Sequence, residues 1–439
     1  MDNSGLYVGL DIGTTSIKVI VAERVKKQLN VIGMGNERSK GLSRGVIVDI
    51  DQAAEAIRGA VDQAQEKASI EIKDVIVGVP SNMLKIEPCT GLINLDEQPR
   101  EINDLDVRNV AAATLGNNLP KEREIIDIQP EEFIVDGFDD IKDPRGMVGM
   151  RLEMRGHLIS GSKGVMHNIQ KAVQKAGLNV RGLVLNNLAE GHEILNDGEQ
   201  DFGTILIDLG GGQTSAVVIH DHQLKYATTD PEGGDYITKD ISIVLNTSME
   251  NAEKLKRDYG YADSEKASTE NEFPVDVVGQ TEPDIIDEKY LSEIIEARLD
   301  QILSRIKDRL DQISALELPG GIVLTGGVAA LPGILDLAQN KFDVNTRIYI
   351  PDEMGLRHPS YSAAISVVSY YSKLSGVEQL VRTAIGISTM SDTKVAKKDV
   401  AVHQQREVTE VTSSKRTSKP KEKANPGVAI KKFIKDFFD

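Results

Sequence analysis

The sequence predicts an α/β fold with two similar halves, and two matching glycine-containing turns are the main reason. The apolar run at 6–10 is followed by Asp11, by a turn rich in hydroxyl side chains, and then by a second apolar run. The β-branched run at 204–207 is followed in the same way by Asp208 and by three consecutive glycines. Apolar runs of this length and composition are typical of buried strands. Two such units, about 200 residues apart, indicate two related half-molecules that face one bound nucleotide.

The turn after Asp208 has the composition of a phosphate-binding loop. Its glycines let the backbone bend sharply, and they leave amide N–H groups accessible to phosphate oxygens. The carboxylate of Asp208 can hold Mg²⁺ through water. Glycine-rich turns also occur for structural reasons alone, and neither turn is a Walker loop or a dinucleotide-binding fingerprint. The two turns by themselves therefore leave a structural and a phosphate-binding interpretation open.

A third glycine-rich turn follows the strand predicted at 321–324. It runs from Thr325 to Gly333, and its glycines would let a flat base lie against the backbone. Pro332 can begin the next helix. The order of the three turns resembles that of the superfamily that contains actin, sugar kinases and Hsp70 ATPases. This resemblance implies an actin-like, ribonuclease H-like fold of two domains that binds ATP and Mg²⁺.

The segment 41–51, Gly-Leu-Ser-Arg-Gly-Val-Ile-Val-Asp-Ile-Asp, narrows the resemblance. It is similar to a signature of the bacterial cell division family FtsA, and the likeness extends over most of the chain. This resemblance implies a protein that polymerises and anchors FtsZ filaments of the Z ring to the membrane. It also implies the recruitment of later division proteins and a peripheral location on the cytoplasmic side of the cell membrane, at the division site.

The superfamily resemblance assigns roles to individual residues. Asp208 is implied to position Mg²⁺ and a water molecule, with Asp11 as the second metal-binding carboxylate. Glu253 and Lys256 are implied to lie near ribose or adenine, although an exposed ion pair explains their three-residue spacing equally well. The implied nucleotide-binding residues are Asp11, Gly13, Thr14, Thr15, Ser16, Lys18, Gly210, Gly211, Gly212, Gln213, Thr214, Gly233, Gly234, Asp235, Glu253, Lys256, Gly326 and Gly327.

The stretch that follows the strand predicted at 179–185 bears on hydrolysis. In Hsp70-like relatives, a carboxylate near the start of the next helix positions the attacking water. Asn187 is expected at the matching position here. An amide can orient water but cannot act as a base. We therefore expect ATP to act as a structural switch for assembly, with weak or slow hydrolysis.

Periodicity and composition divide the chain. Within the first part, Asp51 is the expected N-cap of a helix that continues to Lys67. Charged and apolar residues alternate through the second part, which predicts a half-buried antiparallel sheet with one helix, inserted as an interaction subdomain. A further helix is expected from Ser160 to Ala176. The predicted parts are 1–84 and 163–200 for the first half, 85–162 for the insert, 201–227 and 315–388 for the second half, 228–314 for a subdomain over the nucleotide, 389–427 for a linker and 428–439 for a terminal helix.

The subdomain at 228–314 is also the expected partner-binding region. A long helix with an apolar stripe is predicted at 288–314. The family resemblance implies that this subdomain holds the C-terminal peptide of FtsZ. Arg298 on the helix is a candidate contact, and a simply solvated charged face is the alternative.

Composition excludes several classes of protein. The net charge of −17 argues against a nucleic-acid-binding protein, and the 4% of aromatic residues argues against a base-stacking surface. The single cysteine, Cys89, excludes an internal disulfide and is best explained as a small buried apolar residue. The N-terminal residues are too polar for a signal peptide. No apolar run approaches the roughly 18 residues of a membrane-spanning helix, so a cytosolic or membrane-surface protein is expected.

The last part of the sequence has the pattern of a tethered membrane anchor. The segment 391–427 has few large apolar residues and a net charge of about +4, which predicts a disordered linker. In residues 428–439 the apolar side chains fall on one face of a helix and the lysines on its flanks or opposite side. This pattern predicts a short amphipathic helix on an anionic lipid surface. A tail docked on its own core is the alternative. The predicted membrane-contacting residues are Ile430, Lys431, Lys432, Phe433, Ile434, Lys435, Phe437 and Phe438.

Two other functions are compatible with the same three turns. An Hsp70-like or sugar-kinase-like ATPase would share them, but it would need a substrate domain or a sugar pocket, and a basic linker with a lipid-binding helix is not expected there. A scaffold of the pilus-assembly type is the closer alternative, and it would not need its own lipid-binding tail or bind FtsZ.

Overall fold

The computed structural model describes most of the chain up to residue 386. The predicted linker and the predicted membrane-binding helix lie outside the described residues. Within the described part, no helix is both long and apolar enough to cross a membrane. The described residues are 5–26, 28–82, 84–115, 119–384 and 386.

The first half begins with an antiparallel hairpin and a helix that covers its sheet. The N-cap of the helix is Asp49, whose side chain accepts hydrogen bonds from the backbone N–H groups of Asp51 and Gln52 at 3.0 Å. The prediction of Asp51 as the N-cap was therefore wrong, because the capping carboxylate lies two residues earlier. The elements are β1 (Gly5–Ile12), β2 (Ser16–Val25), β3 (Gln28–Arg38), β4 (Leu42–Ser43), β5 (Val46–Ile47), α1 (Ile50–Ala68) and β6 (Asp74–Val79).

The next part is a small α+β subdomain, as predicted. Its strands β7, β9, β10 and β12 form an antiparallel sheet in the order β10-β9-β12-β7, and α2 packs on one face of that sheet. The elements are β7 (Lys85–Asn94), β8 (Arg100–Glu101), α2 (Asp104–Ala113), β9 (Arg123–Val135), β10 (Phe138–Ile141), β11 (Val148–Gly149) and β12 (Arg151–Ser162).

The chain then returns to the first half. The helix predicted from Ser160 begins later, because Ser160 is fully buried in β12 and pairs with Ile125 of β9. Its hydroxyl also accepts a hydrogen bond from Arg123 Nε at 3.0 Å, so the backbone at Ser160 stays in the sheet. The elements are α3 (Lys163–Lys175), β13 (Asn179–Leu185), α4 (Asn186–Ile194) and α5 (Asp197–Phe202).

The second half repeats the arrangement of the first. Its sheet has the strand order β16-β15-β14-β19-β20, and the sheet of the first half has the order β3-β2-β1-β6-β13. In each sheet an antiparallel three-stranded meander is continued by two parallel strands. The two related halves predicted from the turns are therefore present as two sheets of identical topology. The elements are β14 (Thr204–Leu209), β15 (Thr214–His220), β16 (Gln223–Asp230), α6 (Gly234–Val244), α7 (Met249–Tyr259), β17 (Glu272–Val275), β18 (Asp284–Asp287), α8 (Glu288–Asp311), β19 (Ile322–Thr325), α9 (Ile334–Phe342), β20 (Thr346–Ile348), α10 (Ser362–Lys373) and α11 (Gly376–Ala384).

The last two helices pack away from the second half. Helix α10 crosses α4 and covers β1, β2 and β6 of the first sheet, and Val367 and Val368 are fully buried there. Helix α11 packs on α2 and β9 of the inserted subdomain, with Val381 fully buried. The sequence analysis assigned 315–388 as a whole to the second half. The structure places α10 and α11 against the first half and the insert, because their apolar faces match those surfaces.

Candidate functional site

The turn between β1 and β2 presents one buried carboxylate and several donors. Asp11 is the last residue but one of β1, is 7% exposed, and accepts a hydrogen bond from Asn186 Nδ2 at 3.1 Å. Lys18 Nζ lies 4.0 Å from Asp11 Oδ2 and donates to Ser16 Oγ at 2.8 Å. The antiparallel register pairs Asp11 directly with Lys18, so the hairpin itself places the positive charge beside the carboxylate.

The turn between β14 and β15 lies directly against the first turn. A Cβ atom on Gly211 would overlap the hydroxyl of Thr15, and one on Gly212 would overlap the hydroxyl of Thr14. Thr15 Oγ1 also donates to Asp235 Oδ1 at 3.4 Å. Only glycine permits this approach, so the glycines bring the two halves together as well as leaving backbone N–H groups accessible.

The loop 41–51 contacts both turns. The backbone N–H of Gly45 donates to Thr14 Oγ1 at 2.8 Å, and a Cβ on Gly45 would overlap the side chain of Gln213. Gly45 has a φ of +73°, a conformation that favours glycine. The segment that suggested the family thus forms part of the junction between the two halves.

A second layer of backbone supports the turn of the second half. The N–H groups of Gly234 and Asp235 donate to the carbonyls of Gly210 and Gly211 at 3.0 and 2.8 Å. Lys256 Nζ donates to the carbonyl of Gly234 at 3.0 Å and lies 2.6 Å from Glu253 Oε2. Lys256 is only 8% exposed, so this ion pair is not the exposed pair that the alternative interpretation supposed.

The two turns line a cavity of about 900 Å³ between the halves. This volume falls within the range of cavities that bind small molecules and cofactors. Thr214 and Gly233 do not line it: Thr214 is 1% exposed and donates to the carbonyl of Glu232 at 3.0 Å, and Gly233 packs behind Gly210 and Gly211. The other predicted nucleotide-binding residues all line the cavity: Asp11, Gly13, Thr14, Thr15, Ser16, Lys18, Gly210, Gly211, Gly212, Gln213, Gly234, Asp235, Glu253, Lys256, Gly326 and Gly327.

The third glycine-rich turn closes another side of the cavity. Gly326 follows β19 with a φ of +89°, and a Cβ there would overlap Asp208 Oδ1 and lie 2.6 Å from the carbonyl oxygen of Leu209. Gly327 has open space around it, since the nearest atom to a Cβ would be the Cβ of Ser360 at 3.8 Å. Gly326 is therefore required by the backbone, whereas Gly327 leaves room for a flat ligand.

Three carboxylates share the floor of the cavity. Burial is the main cause that raises the pKa of Asp208 to about 7, and the charge of Asp11 adds to it. Burial also raises the pKa of Asp11, against the lowering effect of Lys18. The pKa of Glu190 lies well above its usual value because the side chain is buried and faces the charges of Asp208 and Asp11. Bringing these negative charges together is unfavourable, so the site is electrostatically suited to a cation.

Glu190 is the residue that the sequence analysis missed, and Asn187 is not where it was expected. Asn187 does not line the cavity. It is 2% exposed, and its Oδ1 accepts hydrogen bonds from the hydroxyls of Ser81 and Ser215. Asn186 and Glu190 face the cavity instead, since residues four apart lie on one face of a helix. That spacing was visible in the sequence and could have identified the pair.

The donor set fits Mg²⁺ held through water. Within the described part of the chain, no three His, Cys, Asp or Glu side chains lie close enough together to ligate a metal ion directly. Mg²⁺ keeps several of its waters and is usually bound by one or two carboxylates together with phosphate oxygens. Asp208 and Asp11 at the strand ends, beside the glycine turns, match that requirement.

Arg298, the candidate partner contact, is engaged within the subdomain. Its guanidinium lies 2.6 Å from Asp240 and 2.9 Å from Glu232, and its side chain is 18% exposed. The same subdomain exposes three apolar side chains: Ile243 and Val244 at the end of α6, and Val278, are each at least half exposed. Arg298 therefore has little freedom to bind a second molecule.

Comparison with known proteins identifies the family. The chain is 57% identical over 385 residues to the cell division protein FtsA of Enterococcus hirae, a match that covers 88% of this chain and 87% of that protein. This chain belongs to the FtsA family. It is also 41% identical over 370 residues to FtsA of Bacillus subtilis, which covers 84% of both proteins. The family model for cell division protein FtsA matches residues 205–366, and the model for the SHS2 domain inserted in FtsA matches 82–160.

Solved structures show that the FtsA-family chain has an actin-like fold. The PilM–PilN complex of type IV pilus biogenesis aligns with a TM-score of 0.58 at 15% identity, covering 84% of this chain and 99% of that one. MreB5 of Spiroplasma citri bound to ADP aligns with a TM-score of 0.52 at 12% identity, covering 87% and 98%. The MamK double helical filament aligns with a TM-score of 0.51 at 13% identity, covering 84% and 99%. At these identities the likeness shows the fold alone.

Proposed function

We propose that this cell division protein binds ATP with Mg²⁺ between its two halves and uses the nucleotide as a switch for self-assembly. The assembled chains would anchor FtsZ filaments to the cytoplasmic face of the cell membrane at the division site and help to recruit later division proteins. The observation that carries the nucleotide part is the meeting of two glycine turns, from two sheets of identical topology, over one cavity with buried carboxylates.

Different residues of the cavity would bind the phosphates and the metal ion. The backbone N–H groups of the two turns, with Thr14, Thr15 and Ser16, would hold phosphate oxygens, and Lys18 would add a positive charge. Asp208 and Asp11 would accept hydrogen bonds from the waters of Mg²⁺. The bound metal ion would neutralise part of the phosphate charge.

The other wall of the cavity would hold the nucleoside. Gly326 and Gly327 would lie against adenosine, and the Glu253–Lys256 pair stands on the same side of the cavity as Gly234. A ligand that contacts both halves stabilises their closed arrangement by its differential affinity for that state. Closure of this kind would change the surfaces available for assembly.

Nucleotide binding is tested directly with a fluorescent ATP analogue. The full chain should bind it, and Asp208→Ala should weaken binding in Mg²⁺ by about tenfold or more, in the range seen when groups that orient a metal ion are removed. Asp258→Ala is the matched control, because Asp258 does not line the cavity. An unchanged affinity of Asp208→Ala in Mg²⁺ would contradict the assignment. The expectation of weak or slow hydrolysis depended on Asn187, which lies outside the cavity, so single-turnover measurements with radiolabelled ATP are needed to determine the rate.

Self-assembly is the expected consequence of nucleotide binding. The structural similarity to the MamK double helical filament supports an actin-like polymer for this chain. Sedimentation of the full chain with and without ATP and Mg²⁺ tests this expectation. Polymer that forms equally with and without nucleotide would contradict the role of ATP as a switch.

The membrane part of the proposal depends on the sequence pattern at 428–439. Burial of its apolar face could contribute several kcal/mol at about 25 cal/mol per Å², and ordering the peptide would cost much of that. One tail should therefore bind marginally, and many tails on one polymer should bind stably.

Co-sedimentation with anionic liposomes tests the anchor. The full chain should pellet with the vesicles, and a truncation after residue 425 should stay in solution. A greater pelleted fraction with ATP would support control of avidity by the nucleotide. Equal pelleting of both chains, or of neither, would contradict the anchor.

Pull-down with an FtsZ C-terminal peptide tests the partner. The subdomain at 228–314 is the proposed binding region, and Ile243→Asp should weaken binding more than Arg298→Ala, because Arg298 is already paired within the chain. Absence of binding to the full chain would favour a scaffold of the pilus-assembly type. The family relationship supports the division role over that alternative and over an Hsp70-like or sugar-kinase-like ATPase.

A further inference from the structure

Glu190 is a buried carboxylate in the cavity. One of its oxygens accepts a long hydrogen bond, and the other accepts none from the described residues. Its side chain is 1% exposed, and Oε1 accepts a hydrogen bond from Thr325 Oγ1 at 3.4 Å. Among the described residues, Oε2 has no hydrogen-bond partner. Buried polar groups are almost always hydrogen-bonded, so an unpaired carboxylate oxygen in a ligand cavity points to a group that the ligand supplies.

The fold holds Glu190 beside the proposed metal-binding aspartates. Thr325, its hydrogen-bond donor, is the direct neighbour of Asp208 in the parallel pairing of β14 with β19. Four residues earlier on the same face of α4, Asn186 donates to Asp11 at 3.1 Å. Glu190 is therefore linked to Asp208 through Thr325 of β19, and it shares a face of α4 with Asn186, the hydrogen-bond donor to Asp11.

A structural role alone does not explain the side chain. A carboxylate that stabilised the fold would be paired with a cation or with several donors, because an uncompensated buried charge is costly. Lys18, whose charge lowers the pKa of both Asp11 and Asp208, is already engaged by Asp11 and Ser16. The arrangement leaves Glu190 suited to a cation that arrives with the ligand.

We propose that Glu190 is a third carboxylate of the Mg²⁺–nucleotide site, which positions a water of the metal ion through its Oε2. The inference rests on the proposed function, since it concerns the same cavity. Glu190 is a positioning residue here: it would orient a water on the metal ion and would not touch the nucleotide. Groups that orient a metal ion in this way typically change metal affinity by 10–100-fold when they are removed.

The test separates metal binding from nucleotide binding in the full-length chain. Mn²⁺ serves as the probe for the metal site, and its binding in the presence of ADP is followed by electron paramagnetic resonance. A fluorescent ATP analogue reports nucleotide binding in EDTA and, separately, in Mg²⁺. Glu190→Gln keeps the size of the side chain and removes its charge, and Glu190→Asp keeps the charge but shortens the reach.

The matched control is Glu193→Gln on the same helix. Glu193 does not line the cavity, and its Oε2 accepts a hydrogen bond from Ser369 Oγ at 2.6 Å and pairs with Lys373. Substitution there perturbs α4 without changing the charge of the site. A general disturbance of the helix would therefore affect both glutamine variants alike.

We expect Glu190→Gln to weaken Mn²⁺ binding by about tenfold and to abolish most of the gain in nucleotide affinity that Mg²⁺ gives. In EDTA, its nucleotide affinity should equal or exceed that of the unaltered chain, because Glu190 is proposed to act only through the metal ion. Glu190→Asp should recover part of the Mn²⁺ affinity, and Glu193→Gln should behave like the unaltered chain.

Three results would overturn separate parts of the argument. Equal Mn²⁺ affinity and an equal effect of Mg²⁺ in Glu190→Gln and the unaltered chain would exclude the role of Glu190 while leaving nucleotide binding intact. Absence of nucleotide binding by the unaltered chain, in Mg²⁺ and in EDTA, would exclude the proposed function itself. A loss of nucleotide affinity in EDTA for Glu190→Gln would show that the residue supports the fold of the cavity and not the metal ion.

Discussion

Arg298 donates two hydrogen bonds to Asp240, with an Nε–Oδ2 distance of 2.6 Å and an Nη2–Oδ1 distance of 3.0 Å. Its Nη1 also donates to Glu232 at 2.9 Å, and Glu232 accepts from Arg305 Nη2 at 2.6 Å as well. Arg305 binds the fully buried Asp230 as well, at 2.7 and 2.9 Å. Ion pairs thus join helix α8 to the turn that precedes Gly233, the glycine that packs behind Gly210 and Gly211.

This network predicts a coupling between α8 and nucleotide binding. Glu232→Gln should weaken both arginine contacts and loosen the turn that supports Gly210 and Gly211, so the affinity for a fluorescent ATP analogue should fall by about three- to tenfold. Charge-assisted hydrogen bonds of this kind contribute about 1.5–3 kcal/mol each, so urea unfolding should show a loss of at least that order.

Asp240→Asn separates the two effects of that network. Asp240 lies on α6, away from the turn, and contacts only the Arg298 end of the network. We expect a similar loss of stability with an affinity for the ATP analogue within twofold of the unaltered chain. An equal loss of affinity in both variants would show that general destabilisation, and not the turn, controls the site.

The two adjacent glycines of the third turn should respond differently to alanine. Gly326→Ala forces a Cβ onto Asp208 in a left-handed backbone conformation, which should reduce stability by about 2–3 kcal/mol and reduce nucleotide affinity. Gly327→Ala meets open space and should fold normally. Thermal unfolding and analogue binding measure both. A normally folded Gly327→Ala that binds nucleotide as tightly as the unaltered chain would contradict the placement of adenosine at this residue.

The buried ion pair between Asp127 and Arg382 should hold α11 on the inserted subdomain. The Oδ2–Nη2 distance is 2.6 Å, and the two side chains are only 3% and 6% exposed. Arg382→Met would leave Asp127 buried without a cation, which typically costs about 3–5 kcal/mol. Hydrogen exchange of residues 376–384 should increase together with a lower urea midpoint.

An exposed ion pair, Lys73 with Glu71, is the matched control for the buried pair. Lys73 and Glu71 lie 3.2 Å apart with side chains that are 68% and 74% exposed. Exposed pairs contribute about 0–1 kcal/mol, so Glu71→Gln should leave the urea midpoint nearly unchanged. If the two substitutions had equal effects, the buried pair would not be what holds α11.

His192 should make stability depend on pH. It lies in α4 and packs against the ring of Tyr370 with a centroid distance of 5.1 Å. Burial is the main cause that lowers the pKa of His192 to about 4. The unfolded chain, with a pKa near 6.5, therefore binds more protons between pH 6.5 and 4, so stability falls as the pH falls through that window. The loss should approach about 3 kcal/mol at pH 4.

His192→Phe isolates this effect, since phenylalanine keeps the ring against Tyr370 and cannot be protonated. Urea unfolding of both chains between pH 4 and 7.5 gives the difference in their free energies of unfolding. That difference should be constant above pH 6.5 and should change in favour of the variant at lower pH. A difference that is constant over the whole range would contradict a buried neutral His192.

Local residue patterns were sufficient to predict much of the fold. The paired turns predicted two related halves because a hairpin with glycine at its tip is specified by neighbouring residues, and the two sheets confirm it. The alternating residues of β12 predicted the inserted antiparallel sheet in the same way. The start of α3 was misplaced by three residues because pairing with the distant strand β9 keeps Ser160 in β12, and the cap of α1 was misplaced by two because a neighbouring carboxylate, Asp49, makes the capping hydrogen bonds.

The sequence by itself determined the glycine turns, the acidic strand ends and the amphipathic pattern of the tail, because each depends on residues that are close in the chain. Only the tertiary structure decided that Glu190 and not Asn187 faces the cavity, that Arg298 is held by Asp240 and Glu232, and that α10 and α11 leave the second half. These arrangements follow from which apolar faces and charges meet across distant segments. Burial then fixes them, since a polar group removed from water must find its partner within the fold or on its ligand.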